Sequence, residues 1–132
     1  MNFIWALITS RKKKKGRKPF KSISAPDVEV VFEFNGTREH PAADGYRPEH
    51  LVKDNYATCG VHHYFDVDMV PPDGQAKGTI TFITPEMYPA CLWVGRKINI
   101  QEGEKIVGYA TITKIFNPVL DIDSSVAGKG PV

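Results

Sequence analysis

Cysteine is scarce in this chain: Cys59 and Cys91 are the only two among 132 residues, and no CxxC spacing joins them. Two isolated thiols argue against a disulfide-framed scaffold and for a reducing, cytoplasmic setting. No GxxxxGK[ST] run occurs, so there is no phosphate loop to cradle a nucleotide. No apolar stretch approaches the roughly 20 residues that cross a bilayer, which speaks against integral membrane association. The opening MNFIWALIT is short and precedes the basic residues, the reverse of a secretory signal. No window of a dozen residues carries helical periodicity. Acidic residues are missing from the first 21 positions altogether.

Those 21 positions instead hold eight of the 17 Lys and Arg: Arg11, Lys12, Lys13, Lys14, Lys15, Arg17, Lys18 and Lys21. Residues 22–132 carry nine basic against fifteen acidic residues, a net of −6. A basic leader therefore precedes an acidic domain. Like charges in a run repel and stay solvated, so residues 1–26 read as a disordered apolar and basic leader, closed by the Ser22–Pro26 linker. Such a run can neutralise phosphates, releasing roughly one counterion for each. The apolar plug beside it also fits an anionic membrane surface. The length supports one domain with a real core.

What is present is period-two patterning. The clearest stretch is Lys97 to Ile115, where alternating runs flank Gln101-Glu102-Gly103-Glu104, a β-hairpin with Gly103 at the left-handed position. Asp27 to Phe34 predicts a strand with Val28, Val30, Phe32 and Phe34 inward. Glu49 to Lys53, Thr58 to Asp68 and Lys77 to Ile83 predict three more. On the second of these, Cys59, Val61, His63, Phe65 and Val67 share one face, and Gly60, His62, Tyr64, Asp66 and Asp68 the other. Thr37 to Asp44 and Met69 to Gln75 read as loop and turn, and Ser124 to Val132 as a flexible tail. Six or so short strands punctuated by Gly and Pro point to a small antiparallel barrel or sandwich.

Gly45-Tyr46-Arg47-Pro48, the strand and corner from Ile80 to Pro85, and the Glu102-Gly103 turn followed by Val107-Gly108 occur in the order and near the spacing of the third domain of elongation factor Tu. Residues 27–116 resemble that domain, a six-stranded antiparallel Greek-key barrel. The resemblance implies a stand-alone barrel over 27–118, followed by a tail over 119–132, without the GTPase domain and so without a nucleotide. The family's third domain touches the T-stem of tRNA. Its glutamine after the GYRP motif is Glu49 here, its turn glutamate matches Glu102, its threonine ahead of the glycine is Thr58 or Cys59, and its arginine becomes Lys53. The resemblance therefore implies a non-catalytic module of the translation machinery that contacts tRNA-like RNA. The residues expected at such an interface are Arg11 to Lys15, Arg17 and Lys18 of the leader, with Arg47, Lys53, Thr58 and Glu102 on the barrel. The alternative is a protein-interaction or immunity-type module that mimics the factor's third domain and binds no RNA.

Other constellations compete weakly. Cys59, His62, His63, Asp66 and Asp68 split between two strand faces, so a metal site would need His40 or His50 from elsewhere. Neither cysteine sits in a recognisable arrangement with a His and an electropositive pocket, and Cys91 before Leu92-Trp93-Val94 reads as core. No cofactor, metal or catalytic residue is expected. Phe82 is expected in the core, while Tyr46, Tyr88 and Trp93 are left as surface anchors.

Overall fold

The computed structural model describes residues 25–123. The disordered-leader reading of residues 1–24 and the flexible-tail reading beyond 123 lie outside them. Residues 119 and 120 of the expected tail instead belong to the barrel, with Leu120 fully buried and both carbonyls accepting from the Ala90–Leu92 segment. Among the described residues there are eight strands: β1 (Val28–Phe34), β2 (Ala42–Ala43), β3 (Glu49–Lys53), β4 (Tyr56–Tyr64), β5 (Met69–Val70), β6 (Gln75–Phe82), β7 (Lys97–Glu102) and β8 (Lys105–Ile115). Six of them close an antiparallel barrel in the order β1-β6-β4-β3-β7-β8, with β8 pairing back onto β1. The connection from β1 to β3 passes over β6 and β4, a Greek-key path. No helix among the described residues is long and apolar enough to cross a membrane.

The strands form where alternation is strict. Val28, Val30, Phe32 and Phe34 are buried, while Glu29, Val31 and Glu33 are half-buried on the outer face. Their pairing with Ile112, Ala110 and Gly108 of β8 and with Ile80, Gly78 and Ala76 of β6 closes the barrel. At the turn between β7 and β8, Gly103 takes φ +62°, the conformation that the hairpin requires. The alternation of β8 does not run straight through: Val107 and Gly108 are both buried, and Ile106 is exposed. Opposite them, Ile100 pairs with Gly108 and Gln101 with Ile106, so Val107 is the extra residue of a β-bulge.

Three expectations need correction. The strand expected over Thr58 to Asp68 spans Tyr56–Tyr64, and Phe65 and Val67 lie exposed beyond its end. Thr37 to Asp44 and Met69 to Gln75 are not wholly loop, because Ala42–Ala43 pairs with Met69–Val70 as a separate two-stranded sheet. Tyr88 is no surface anchor. It is fully buried, and its hydroxyl lies 3.1 Å from Thr58 Oγ1. Phe82 and Cys91 are core residues, as the sequence implies.

Candidate binding groove at one end of the barrel

The barrel interior is packed with side chains from Val28 to Leu120, so recognition falls to the surface. A groove of about 470 Å³ opens at the end of the barrel where β3 turns into β4, lined by Lys53, Asp54, Pro89, Ala90, Cys91, Trp93 and Arg96. Its geometry is set by Arg96. The guanidinium Nη1 donates to the carbonyls of Val52 and Cys91, 2.5 Å from each, and so ties the end of β3 to the loop before β7. The same guanidinium carbon sits 4.9 Å from the centroid of the Trp93 ring. Trp93 is 45% exposed and its neighbour Val94 is 63% exposed, so two adjacent apolar side chains are open to solvent.

Ala90 holds φ +57° at the groove wall, and its amide donates to the Val119 carbonyl at 2.8 Å. The left-handed region costs an alanine about 1–2 kcal/mol, so packing holds this corner in place. The adjoining Cys91 thiol is pushed upward by burial, which keeps it protonated and a poor nucleophile. An exposed indole with Arg96 over its ring and Lys53 in the same groove suits non-covalent capture of a polar-edged apolar group.

The barrel residues expected at an RNA interface do not share one face. Lys53 lies exposed in the groove. Thr58 is buried, with its hydroxyl against Tyr88. Glu102 lies at the far end of β7, where Glu49 pairs with Gln101. Arg47, exposed in the loop two residues before Glu49, belongs to that far end as well. Glu49 and Lys53 are separated by about 13 Å of strand at ~3.3 Å per residue. The leader residues Arg11, Lys12, Lys13, Lys14, Lys15, Arg17 and Lys18 lie outside the described residues.

Glu102 is engaged within the molecule. Its carboxylate accepts from Arg38 Nε at 2.7 Å and from the Tyr46 hydroxyl, and Arg38 stacks 4.4 Å over the Tyr46 ring. The Tyr46 hydrogen bond, then the Arg38 pair, hold the Glu102 carboxyl below its usual range. This cluster fastens the β7–β8 turn to the loops before β3, and Tyr46 serves it rather than standing free as an anchor.

Sequence reasoning missed Arg38, and it offered Arg96 only as a basic residue that could cluster with Lys53, because nothing local marks the partners of either one. Arg38 meets Glu102 across 64 positions, and Arg96 meets Val52 across 44. Among the described residues no three His, Cys, Asp or Glu side chains converge as a metal site. A search of protein-family models finds none that matches this chain.

Proposed function

We propose that the chain is a non-catalytic, cytoplasmic binding module related to translation, which captures a protein partner in the Trp93 groove. The carrying observation is the exposed Trp93–Val94 pair beside Lys53 and Arg96. Aromatic and arginine side chains around a concave centre are the usual anchors of protein interfaces. The charge balance supports the same reading. Residues 25–123 hold eight Lys and Arg against fifteen Asp and Glu, a net of −7 that repels a phosphate backbone. The likeness of residues 27–116 to the third domain of elongation factor Tu supports a translation-machinery partner by analogy of fold.

A second reading, contact with tRNA-like RNA, is favoured by the eight basic residues of the leader. In that reading the leader supplies affinity through phosphate contacts while the barrel supplies position.

The test is capture from cytosolic extract by the full chain and by residues 22–132, with and without nuclease. The protein-partner reading expects a nuclease-resistant protein on both, retained through a salt wash. Trp93→Ala should weaken this capture at least about tenfold, the loss expected of a central aromatic anchor. RNA recovered only by the full chain would instead support the second reading. Equal capture by the Trp93→Ala variant would remove the groove from the interface.

A further inference from the structure

The barrel interior is mostly hydrocarbon, yet two histidines lie wholly within it: His50 on β3 and His62 on β4. Their Nε2 atoms are 2.8 Å apart. On the outer sides, His50 Nδ1 lies 3.3 Å from the Thr58 carbonyl oxygen and His62 Nδ1 lies 2.9 Å from the Tyr64 hydroxyl. These contacts fix the protons. A carbonyl can only accept, so His50 Nδ1 carries hydrogen and, in the neutral ring, His50 Nε2 must accept. His62 Nε2 is then the donor, which leaves His62 Nδ1 to accept from Tyr64. Hydrogen bonds run one way from Tyr64 through His62 and His50 to Thr58, with every ring nitrogen used once.

An added proton cannot enter that chain without reversing part of it. If His50 is protonated, its Nε2 donates, so His62 must change tautomer and the Tyr64 hydroxyl must turn from donor to acceptor. A second proton leaves two N–H groups facing each other across 2.8 Å. Among the described residues, the surroundings offer no countercharge. Phe32 lies 4.2 Å from the His62 ring, with Phe34 and Tyr46 beyond it, and Phe82 stands edge-on to His50. The titratable groups packed around the pair are the phenols of Tyr64 and Tyr46, with Tyr88 reaching the Thr58 hydroxyl on the other side. Beyond Tyr46, Glu102 is already paired with Arg38. Asp44 accepts from the Tyr64 amide and lies 3.0 Å from the outward-facing His63. No carboxylate bonds either buried imidazole among the described residues.

We propose that the His50–His62 pair is an acid-operated latch, in which proton uptake breaks the one-way chain and parts β3 from β4. Because β3 carries Lys53 and the Val52 carbonyl that anchors Arg96, the same opening dismantles the groove. The sign follows from where the protons go. Burial pushes His50 down to about 4 and His62 well below its usual value, with His50 adding to the depression of His62. The unfolded chain binds these protons below about 6.5, so stability is full above that pH and is lost as pH falls toward 4. From His50 alone, the folded-to-unfolded ratio falls on the order of 100-fold between pH 7 and pH 4.5.

The test uses the full chain, with urea unfolding followed by circular dichroism from pH 7.5 to 4.5. The His50→Gln/His62→Gln double variant keeps an amide that donates and accepts but does not titrate. The native chain should lose on the order of 100-fold or more in folding equilibrium beyond what that variant loses. A His40→Gln/His63→Gln variant, altered only on the surface, should behave as the native chain. Equal losses in the native chain and the core variant would overturn the latch. If the core variant does not fold, nitrogen-15 spectra of the native imidazoles decide. His50 protonated on Nδ1 and His62 on Nε2, both neutral down to the loss of the folded spectrum, is the expected result. A charged imidazole at either position in a folded barrel at pH 6 overturns the proposal.

Discussion

Gly78→Ala should destabilise the barrel by more than about 4 kcal/mol, enough to leave the chain largely unfolded in dilute buffer. Gly78 lies on β6 between two partners, opposite Val30 of β1 and Tyr64 of β4. A β-carbon there would sit 2.0 Å from the His63 carbonyl oxygen and 3.0 Å from Phe32 Cε2. The first of these is main chain in a paired strand and cannot turn aside as a side-chain tip would. β4 and β6 must separate, which breaks ladder hydrogen bonds beside the aromatic core. Urea unfolding of purified protein checks this, and a midpoint close to native would show that the two strands yield to a methyl group.

Phe32→Ala should cost about 3–5 kcal/mol, the range for emptying a fully buried aromatic position. The Phe32 ring is fully buried. It stacks at a tilt on His62, with centroids 4.2 Å apart, and meets the Tyr64 ring edge-on at 5.2 Å. Its loss would open a cavity against two polar side chains that depend on dry, fixed neighbours for their hydrogen bonds. Phe32→Leu, which refills much of the volume, should recover more than half of the loss. Comparison of the two variants by chemical denaturation therefore separates volume from aromatic contact.

The strands were legible in the sequence wherever one face alone is apolar. In DVEVVFEF the inward row is unambiguous, and the Lys97–Ile115 hairpin announces itself by alternation on both sides of Gly103. Legibility failed where both faces look alike. Between Cys59 and Asp68, the row Cys59, Val61, His63, Phe65, Val67 is the more apolar of the two, yet Thr58, Gly60, His62 and Tyr64 are buried. His62 can enter the core only because His50, on another strand, completes its hydrogen bonds, and no local pattern encodes that partnership. Tyr88 was misread for the same reason, since its hydroxyl finds Thr58 thirty positions away. Of the candidate site, Trp93 and Lys53 were visible as residue types suited to binding. Their placement in one groove depends on Arg96 bridging two loops, a contact made by tertiary structure alone.

One corner of the barrel has a topological consequence. Asp27 precedes β1 and Asn117 follows β8, yet the two are neighbours: the Phe116 and Asn117 amides donate to the Asp27 carbonyl at 2.8 and 3.1 Å, and Asn117 Nδ2 donates to Asp27 Oδ1 at 2.8 Å. A linker that also carries the Pro118–Leu120 turn, whose Leu120 is fully buried, would join the last strand to the first across this corner, and the chain can be reopened at Gly103-Glu104 without cutting a core strand. The barrel is in effect a ring, and its strand order along the chain is one of several circular permutations that the same packing admits. The same proximity lets the unit be inserted whole into a loop of a larger protein, entering and leaving through a single narrow gate.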